Sequence, residues 1–384
     1  MYRRLTIRNY RSIEEATVVL GPFGLVVGSN GSGKSNVADA FVFARDVATD
    51  ATTAVSSRGG ISSVRRWSRS KPFDVHLELR IAETENDLEH RYLDHVLTIQ
   101  SLQDGAWKFK KERVEYKAPG ADGWKLSRHG HDVSIEGSKI GIDRLGETVS
   151  AMFLARQVLP LPAALRSGPT SVRRYRLSPD AMRQPQLVSE TGRLHESGIN
   201  IATAIRRLES NPAELDSVLK PMQRVIPGLM KIGTVEAGRH LLLNFTQRQG
   251  EGVADFSASE ISEGALRALG VIVAAKQMLK RELLIIEEPE ANVHAGAARL
   301  IFDVLKEASS RGSVLVTSHS PELLDAAQDE TILVCDYQSG VTRVGPLASE
   351  QRALVREGLF RLAELVRTEP LRIEGDLPAL ADPA

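Results

Sequence analysis

The chain has only one cysteine in 384 residues, Cys335. A single thiol can neither close an internal disulfide nor build a thiolate zinc site, so the expected setting is reducing and cytoplasmic. Excess charge is missing as well, because 49 Lys plus Arg balance 49 Asp plus Glu. That argues against a globally basic surface for polyanions and leaves only local basic faces. Of the 49 cations 36 are Arg and 13 are Lys; the bias suits phosphate contacts and equally the coding preference of a GC-rich genome. No apolar run approaches the roughly 18 residues of a membrane span. The longest, around Val271–Ala275, is bounded by Arg267 and Lys276, and Met1–Thr6 is too charged for a signal-peptide core. Internal repeats, low-complexity tracts and long heptad runs are also absent. At 26% charged and 42% hydrophobic residues, this is globular material, sized for two or three domains or one large domain with insertions.

Alternation and apolar runs place the elements. Strands are expected at Arg3–Arg8, Thr17–Leu20 and Gly24–Gly28, followed by a helix over Ser35–Ala48. From Val75 to Tyr116 the period-two pattern, punctuated by Asp104-Gly105 and then Asp122-Gly123, reads as an antiparallel β-layer. Leu159–Pro162 breaks structure before an arginine-dense stretch. Ser178-Pro179 then opens a helical region, with helices at Ile199–Leu208 and Pro212–Val225. Val235–Phe245 returns to strand. The chain then alternates helix Ser262–Leu279, strand Leu283–Ile286, helix Ala295–Ser309, strand Ser313–Thr317, strand Thr331–Cys335 and helix Glu350–Arg367. A Pro/Asp/Ala tail follows and is expected to fray. The class is α/β, with a mainly parallel core sheet flanked by helices, an antiparallel β-layer and an inserted helical region.

The chemistry concentrates in three segments. Gly28-Ser29-Asn30-Gly31-Ser32-Gly33-Lys34-Ser35 fits GxxxxGK[ST] and stands between an apolar strand and a helix. In that context backbone N–H groups cradle phosphates, Lys34 reaches the β/γ-phosphates and Ser35 holds Mg²⁺. Leu283–Ile286 runs into Glu287-Glu288-Pro289-Glu290, so carboxylates arrive at the crevice beyond the strand ends. Glu287 is the candidate metal ligand and Glu288 the candidate for orienting or deprotonating water. Read alone, these acids would be an ordinary strand-to-helix turn. One strand later Thr317-Ser318-His319-Ser320 places a histidine where a γ-phosphate would be sensed, although a lone histidine is more often a satisfied polar residue.

Together these segments resemble the soluble RecF/SMC-like and OLD-like branch of ABC-class ATPases. The resemblance is carried by Leu5–Ser12, by the phosphate loop with Asn36, and by Ile286–His294 (IEEPEANVH). Phe256–Leu269 is similar to the signature helix, with Ser262-Glu263-Gly264 in place of the serine and glycines of LSGGQ. It implies a P-loop NTPase head that closes head to tail around ATP, with Ser262 and Gly264 meeting the partner's ATP and Asn292 at the seam. It also implies that Arg11 touches nucleotide phosphates and that Gln157 is the metal-side glutamine; a surface role for Arg11 stays open. The preference for ATP over GTP comes from the resemblance alone. The layout becomes an N-terminal lobe 1–155, a helical insertion 156–230, a C-terminal lobe 231–348, and a helix and tail 349–384.

Lys34 and Ser262 stand 228 residues apart, too far for a transporter subunit, and no membrane partner is suggested. Only 65 residues follow His319, too few for the Toprim nuclease domain seen in some members. The expected role is an ATP switch in a DNA-associated process, repair or antiphage defence, working with a separate effector nuclease or toxin. Basic stretches Arg58, Arg65, Arg66, Arg69, Lys71 and Arg166, Arg173, Arg174, Arg176 are candidate contacts to double-stranded DNA, or else solvated loops. The alternative is an ATP-gated scaffold that sequesters a protein partner without touching DNA.

Overall fold

The structure is a computed structural model that describes all residues except 70–71, 120–122, 139, 188–191, 328–330, 359 and 376–384. Lys71, Asp122 and the C-terminal tail therefore lie outside the described residues. Seventeen strands are described: β1 (Tyr2–Tyr10), β2 (Ile13–Leu20), β3 (Phe23–Val27), β4 (Val75–Ala82), β5 (Tyr92–Ser101), β6 (Trp107–Lys117), β7 (Trp124–His129), β8 (Asp132–Glu136), β9 (Val172–Tyr175), β10 (Gln186–Leu187), β11 (Leu229–Ala237), β12 (His240–Gln249), β13 (Gly252–Ser257), β14 (Leu283–Glu287), β15 (Ser313–Ser318), β16 (Thr331–Gln338) and β17 (Val341–Pro346).

Thirteen of them form one sheet in the order β8-β7-β6-β5-β4-β1-β2-β17-β16-β3-β15-β14-β9. From β16 to β9 neighbouring strands are parallel. From β8 to β2 they are antiparallel. The antiparallel layer is thus continuous with the parallel core, joined where β17 meets β2 through Thr342 and Ile13. Burial follows the pairing type. Every residue of β3, β14 and β15 is buried, as expected for parallel strands covered on both faces. β1 alternates buried and part-exposed positions instead.

Alternate residues of the central strands feed two cores. Val26, Leu283, Ile285 and Leu315 pack with Val37, Phe41 and Ala44 of the long helix Lys34–Ser56. Leu25, Leu284, Ile286 and Val316 pack with Leu266 and Leu269 of the helix Glu263–Lys276 and with Ile301 and Leu305 of the helix Ala295–Ala308. Each buried Val, Leu, Ile or Phe among these contributes about 1.5–3 kcal/mol of transfer free energy, so the strand holding the acids is fixed from both sides.

Four differences from the sequence expectation have local causes. Val235–Phe245 is not one strand but the hairpin of β11 and β12, which turns at Gly238 with φ 63°. Glu350–Arg367 is two helices, Ser349–Arg356 and Leu362–Thr368, with Gly358 at φ 71° just beyond the first. The long helix continues to Ser56 because Asp50, itself non-helical, accepts from the N–H groups of Thr52 and Thr53 and restarts it. Within 156–230, helices share the stretch with β9, the edge strand beside β14. The small sheet of β10, β12, β11 and β13 packs on the helix Ile201–Glu209, with Ile205 and Leu208 against Ile232 and Phe245. Among the described residues no helix is long and apolar enough to cross a membrane.

Candidate nucleotide site

β3 delivers the loop 28–33 directly onto the N-terminus of the helix Lys34–Ser56. Gly33 has φ 104°, and a Cβ there would lie 2.2 Å from Thr342 Oγ1, so both backbone and space require glycine. Thr342 is fully buried. Its hydroxyl donates to the Ser32 carbonyl at 3.0 Å and lies 2.7 Å from Ser12 Oγ, while Asn36 Nδ2 donates to Ser12 Oγ at 2.6 Å. The β1–β2 turn and β17 therefore buttress the loop, a support the sequence reading missed because Thr342 lies in no motif. Gly28, Ser29, Asn30, Gly31 and Ser32 complete the cradle, with the Ser32 hydroxyl buried and without a hydrogen-bond partner among the described residues.

Lys34 curls over this cradle. Its Nζ donates to the Gly28 and Ser29 carbonyls, both at 2.8 Å. Burial lowers the ammonium pKa, and the Glu288 and Glu290 carboxylates oppose that shift. An ammonium held only by loop carbonyls is ready to exchange them for phosphate oxygens.

Next to it Ser35 Oγ donates to Glu287 Oε2 at 2.7 Å. Glu287 is 7% exposed, and its Oε1 has no hydrogen-bond partner among the described residues. A hydroxyl and a buried carboxylate with a spare oxygen fit a hard cation such as Mg²⁺, which takes few protein oxygens and fills its octahedron with water and phosphate. No group of three or more His, Cys, Asp or Glu able to hold a metal occurs among the described residues, so such a site depends on phosphate ligands.

Beyond Glu287 the chain turns sharply. Glu288 has φ 46°, its N–H donates to the Thr317 carbonyl at 2.9 Å, and its side chain is partly exposed. His319 Nδ1 stands 3.7 Å from Glu288 Oε1. His319 also lines, with Ser29 and Asn30, a cavity of about 390 Å³. Glu290 is buried and takes the Ser318 hydroxyl at 2.5 Å; burial raises its pKa. The structure thus brings Lys34, Ser35, Glu287, Glu288 and His319 together. The arrangement can hold a triphosphate, a divalent cation and a water beside Glu288.

Other expected residues lie apart. Ser262 caps the helix Glu263–Lys276, accepting from Ala265 N–H at 3.3 Å, and is exposed. No hydrogen bond or ion pair among the described residues links it to the loop 28–36. The helix start is instead welded to the turn after Glu288: Asn292 Nδ2 donates to Glu263 Oε2 at 2.8 Å, and a Cβ on Gly264 would lie 2.2 Å from the Asn292 carbonyl oxygen. Arg11 pairs with Asp39 at 3.0 Å and donates to Asn36 Oδ1 at 3.4 Å, so it flanks the loop through its neighbours. Gln157 is exposed on the helix Ala151–Val158, and no contact among the described residues joins it to Ser35 or Glu287.

Arg174, a member of the second basic stretch, lies inside the site region. It reaches Asp39 at 3.0 Å, Glu196 at 2.5 Å and Glu287 Oε1 at 3.8 Å. Several other arginines of the two stretches also pair with groups of the chain, Arg58 in a buried setting and the others nearer the surface. Arg58 forks onto Asp39 and meets Asp46, Arg66 pairs with Glu14, Arg173 with Glu282, and Arg166 donates to backbone carbonyls. Arg69, Arg166, Arg173 and Arg176 are exposed.

A phosphate loop on β3, an acid pair at the end of β14 and a histidine beyond β15 define an ABC/AAA-like ATPase of the RecF/SMC/OLD type. The chain belongs to the family described as "AAA domain, putative AbiEii toxin, Type IV TA system", whose model matches residues 25–325. It is similar to the Old nuclease of Escherichia phage P2, 22% identical over 367 residues, covering 88% of this chain and 59% of that protein. The chain thus spans well under two thirds of that relative's length. Among solved structures it resembles an SMC head bound to the C-terminal winged-helix domain of ScpA, with TM-score 0.52 and 15% identity over 91% of this chain and 98% of the other. It also resembles the SMC head with an extended coiled coil bound to the C-terminal domain of ScpA from Pyrococcus furiosus, with TM-score 0.52, 13% identity and coverage of 94% and 100%. At these identities the likeness concerns the fold.

Proposed function

We propose that the chain hydrolyses ATP with Mg²⁺ and that two copies close head to tail around the nucleotide. The process served is DNA-associated, repair or antiphage defence, with the effector on a separate nuclease or toxin. The observation that carries the hydrolytic reading is the 3.7 Å approach of His319 to Glu288 beside Ser35 and Glu287. Mg²⁺ bound to Ser35 and Glu287 supplies charge neutralisation for the phosphates. Lys34 holds the β/γ-phosphates, Glu288 orients the attacking water and takes its proton, and His319 contacts the γ-phosphate. Ser262, exposed at a helix N-terminus, presents its hydroxyl to the triphosphate on the partner. The DNA-associated role draws its support from the similarity to the Old nuclease. Phosphate release that depends on Mg²⁺ and disappears in Lys34→Ala is the direct test, and stimulation by duplex DNA tests the setting.

A second reading, an ATP-gated scaffold for a protein partner, is favoured by one observation. Arg58, Arg66, Arg166 and Arg173 of the two arginine stretches already contact carboxylates or carbonyls of the chain itself, and each such contact competes with a DNA phosphate. Capture from the native host with and without ATP separates the two, since a nucleic-acid-free protein complex supports the scaffold.

A further inference from the structure

β9 runs parallel to β14 with Arg174 opposite Ile285, so a side chain on that face points along the sheet toward Glu287 and toward Asp39 on the covering helix. Asp39 has other cations: Arg58 engages both of its oxygens at 3.1 Å, Arg11 lies at 3.0 Å and the Tyr10 hydroxyl donates at 2.5 Å. Arg174 Nη1 is anchored on that hub. Its Nε faces two competing carboxylates, Glu196 at 2.5 Å and Glu287 Oε1 at 3.8 Å. The Glu287 oxygen concerned has no hydrogen bond of its own among the described residues. Glu196 is 40% exposed, in a segment tied to the β9 exit by the Arg176 N–H to Glu196 carbonyl bond of 2.9 Å and the Ser178 N–H to Ser197 carbonyl bond of 3.0 Å.

We propose that Arg174 is a positioning residue that shares its charge between Glu287 and Glu196, sets the cation affinity of Glu287 and passes its occupancy to the segment 193–200. The inference rests on the reading of Ser35 and Glu287 as a cation site. A divalent ion there repels the guanidinium and strengthens its pairing with Glu196. By reciprocity, whatever holds or removes Glu196 changes cation affinity by the same factor. Two substitutions on the two sides of Arg174 therefore act in opposite directions. Arg174→Gln removes a cation competing for Glu287 and tightens metal binding. Glu196→Gln frees Arg174 for Glu287 and weakens it. For charges a few ångströms apart in a partly exposed site, screening leaves an effect on the order of tenfold.

The readout is Mn²⁺ affinity by electron paramagnetic resonance of the full chain saturated with ADP, with no turnover involved. The expected result is about tenfold tighter binding in Arg174→Gln, several-fold weaker binding in Glu196→Gln and loss of the site in Glu287→Gln. If Glu287→Gln keeps the parental affinity, the cation site itself is misassigned. If Glu287→Gln loses the site while the other two variants move together or not at all, the role of Arg174 is overturned and the site stands. Because Glu196 is partly exposed, Glu196→Gln decides the question even if Arg174→Gln fails to fold: unchanged or tighter Mn²⁺ binding in that variant rejects the proposal.

Discussion

The Ser35 hydroxyl donates to Glu287 at 2.7 Å across 252 residues of chain. That bond closes the site from its two halves, since Ser35 opens the helix after β3 and Glu287 ends β14, two strands away across β15. Lys34 follows the same loop as Ser35, and Glu288 follows Glu287, so the phosphate and water candidates flank this pair in sequence.

Lys34→Ala removes an ammonium now held by the Gly28 and Ser29 carbonyls. Charge-assisted contacts to phosphate are worth about 2–3 kcal/mol, so ATP affinity by calorimetry should fall about 100-fold while circular dichroism is unchanged. Affinity within a factor of about three of the parent would remove Lys34 from the site.

Glu288→Gln keeps the size of a side chain that adopts φ 46° but can no longer accept a proton. ATP should still bind, hydrolysis should drop by about 100-fold or more, and an ATP-bound dimer should accumulate. Light scattering with ATP that finds only the monomer mass contradicts the head-to-tail arrangement.

Asp39→Asn leaves Arg58, Arg11 and Arg174 converging on a neutral amide. Breaking a buried, multiply paired charge costs on the order of 3–5 kcal/mol, measurable as a shift in urea midpoint. Burial pushes the Asp39 carboxyl upward, but the Arg58 hydrogen bond and charge, with help from Tyr10 and Arg11, hold it below the usual carboxylate range. A depressed folded-state pKa means the contribution is complete above the unfolded value near 3.9 and is lost as pH falls through the folded value. The stability difference between parent and Asp39→Asn should therefore persist at pH 7 and shrink below about pH 4. A difference that grows on acidification contradicts this assignment.

Gly264→Ala would push a methyl to within 2.2 Å of the Asn292 carbonyl. Overpacking of that kind costs about 1–3 kcal/mol and should shift the Ser262 helix start, weakening ATP-dependent dimerisation more than ATP binding. Gly296→Ala is the control, because its nearest neighbour would be His294 Nδ1 at an ordinary 3.5 Å. Equal dimerisation defects in both variants would mean the close approach at Gly264 has no special role.

The parts of the site legible in the sequence are those whose partners are local. The loop 28–35 and Glu287 follow fully buried apolar strands, so pattern and chemistry coincide within ten residues. β9 escaped because Val172-Arg173-Arg174-Tyr175 reads as a basic stretch. The carboxylates these arginines meet are Asp39, Glu196, Glu282 and Glu287, remote in sequence except for Glu196. The same holds for Arg58, whose nearby carboxylates lie one helix face away at Asp39 and Asp46. Thr342 was silent because a threonine in a short strand carries no signal until β17 is laid against the Gly33 position. Gln157 has only its position before the helical region to recommend it, and the strand beside Glu287 is β9.

The continuous sheet also works as a cantilever. Strands β4 to β8 hang from β1, and beside β1 the β1–β2 turn carries Arg11 and Ser12, both hydrogen-bonded to Asn36 at the nucleotide loop. An unbroken path of strand pairing and side-chain hydrogen bonds therefore runs from the outer strands to Asn36, two residues from Lys34.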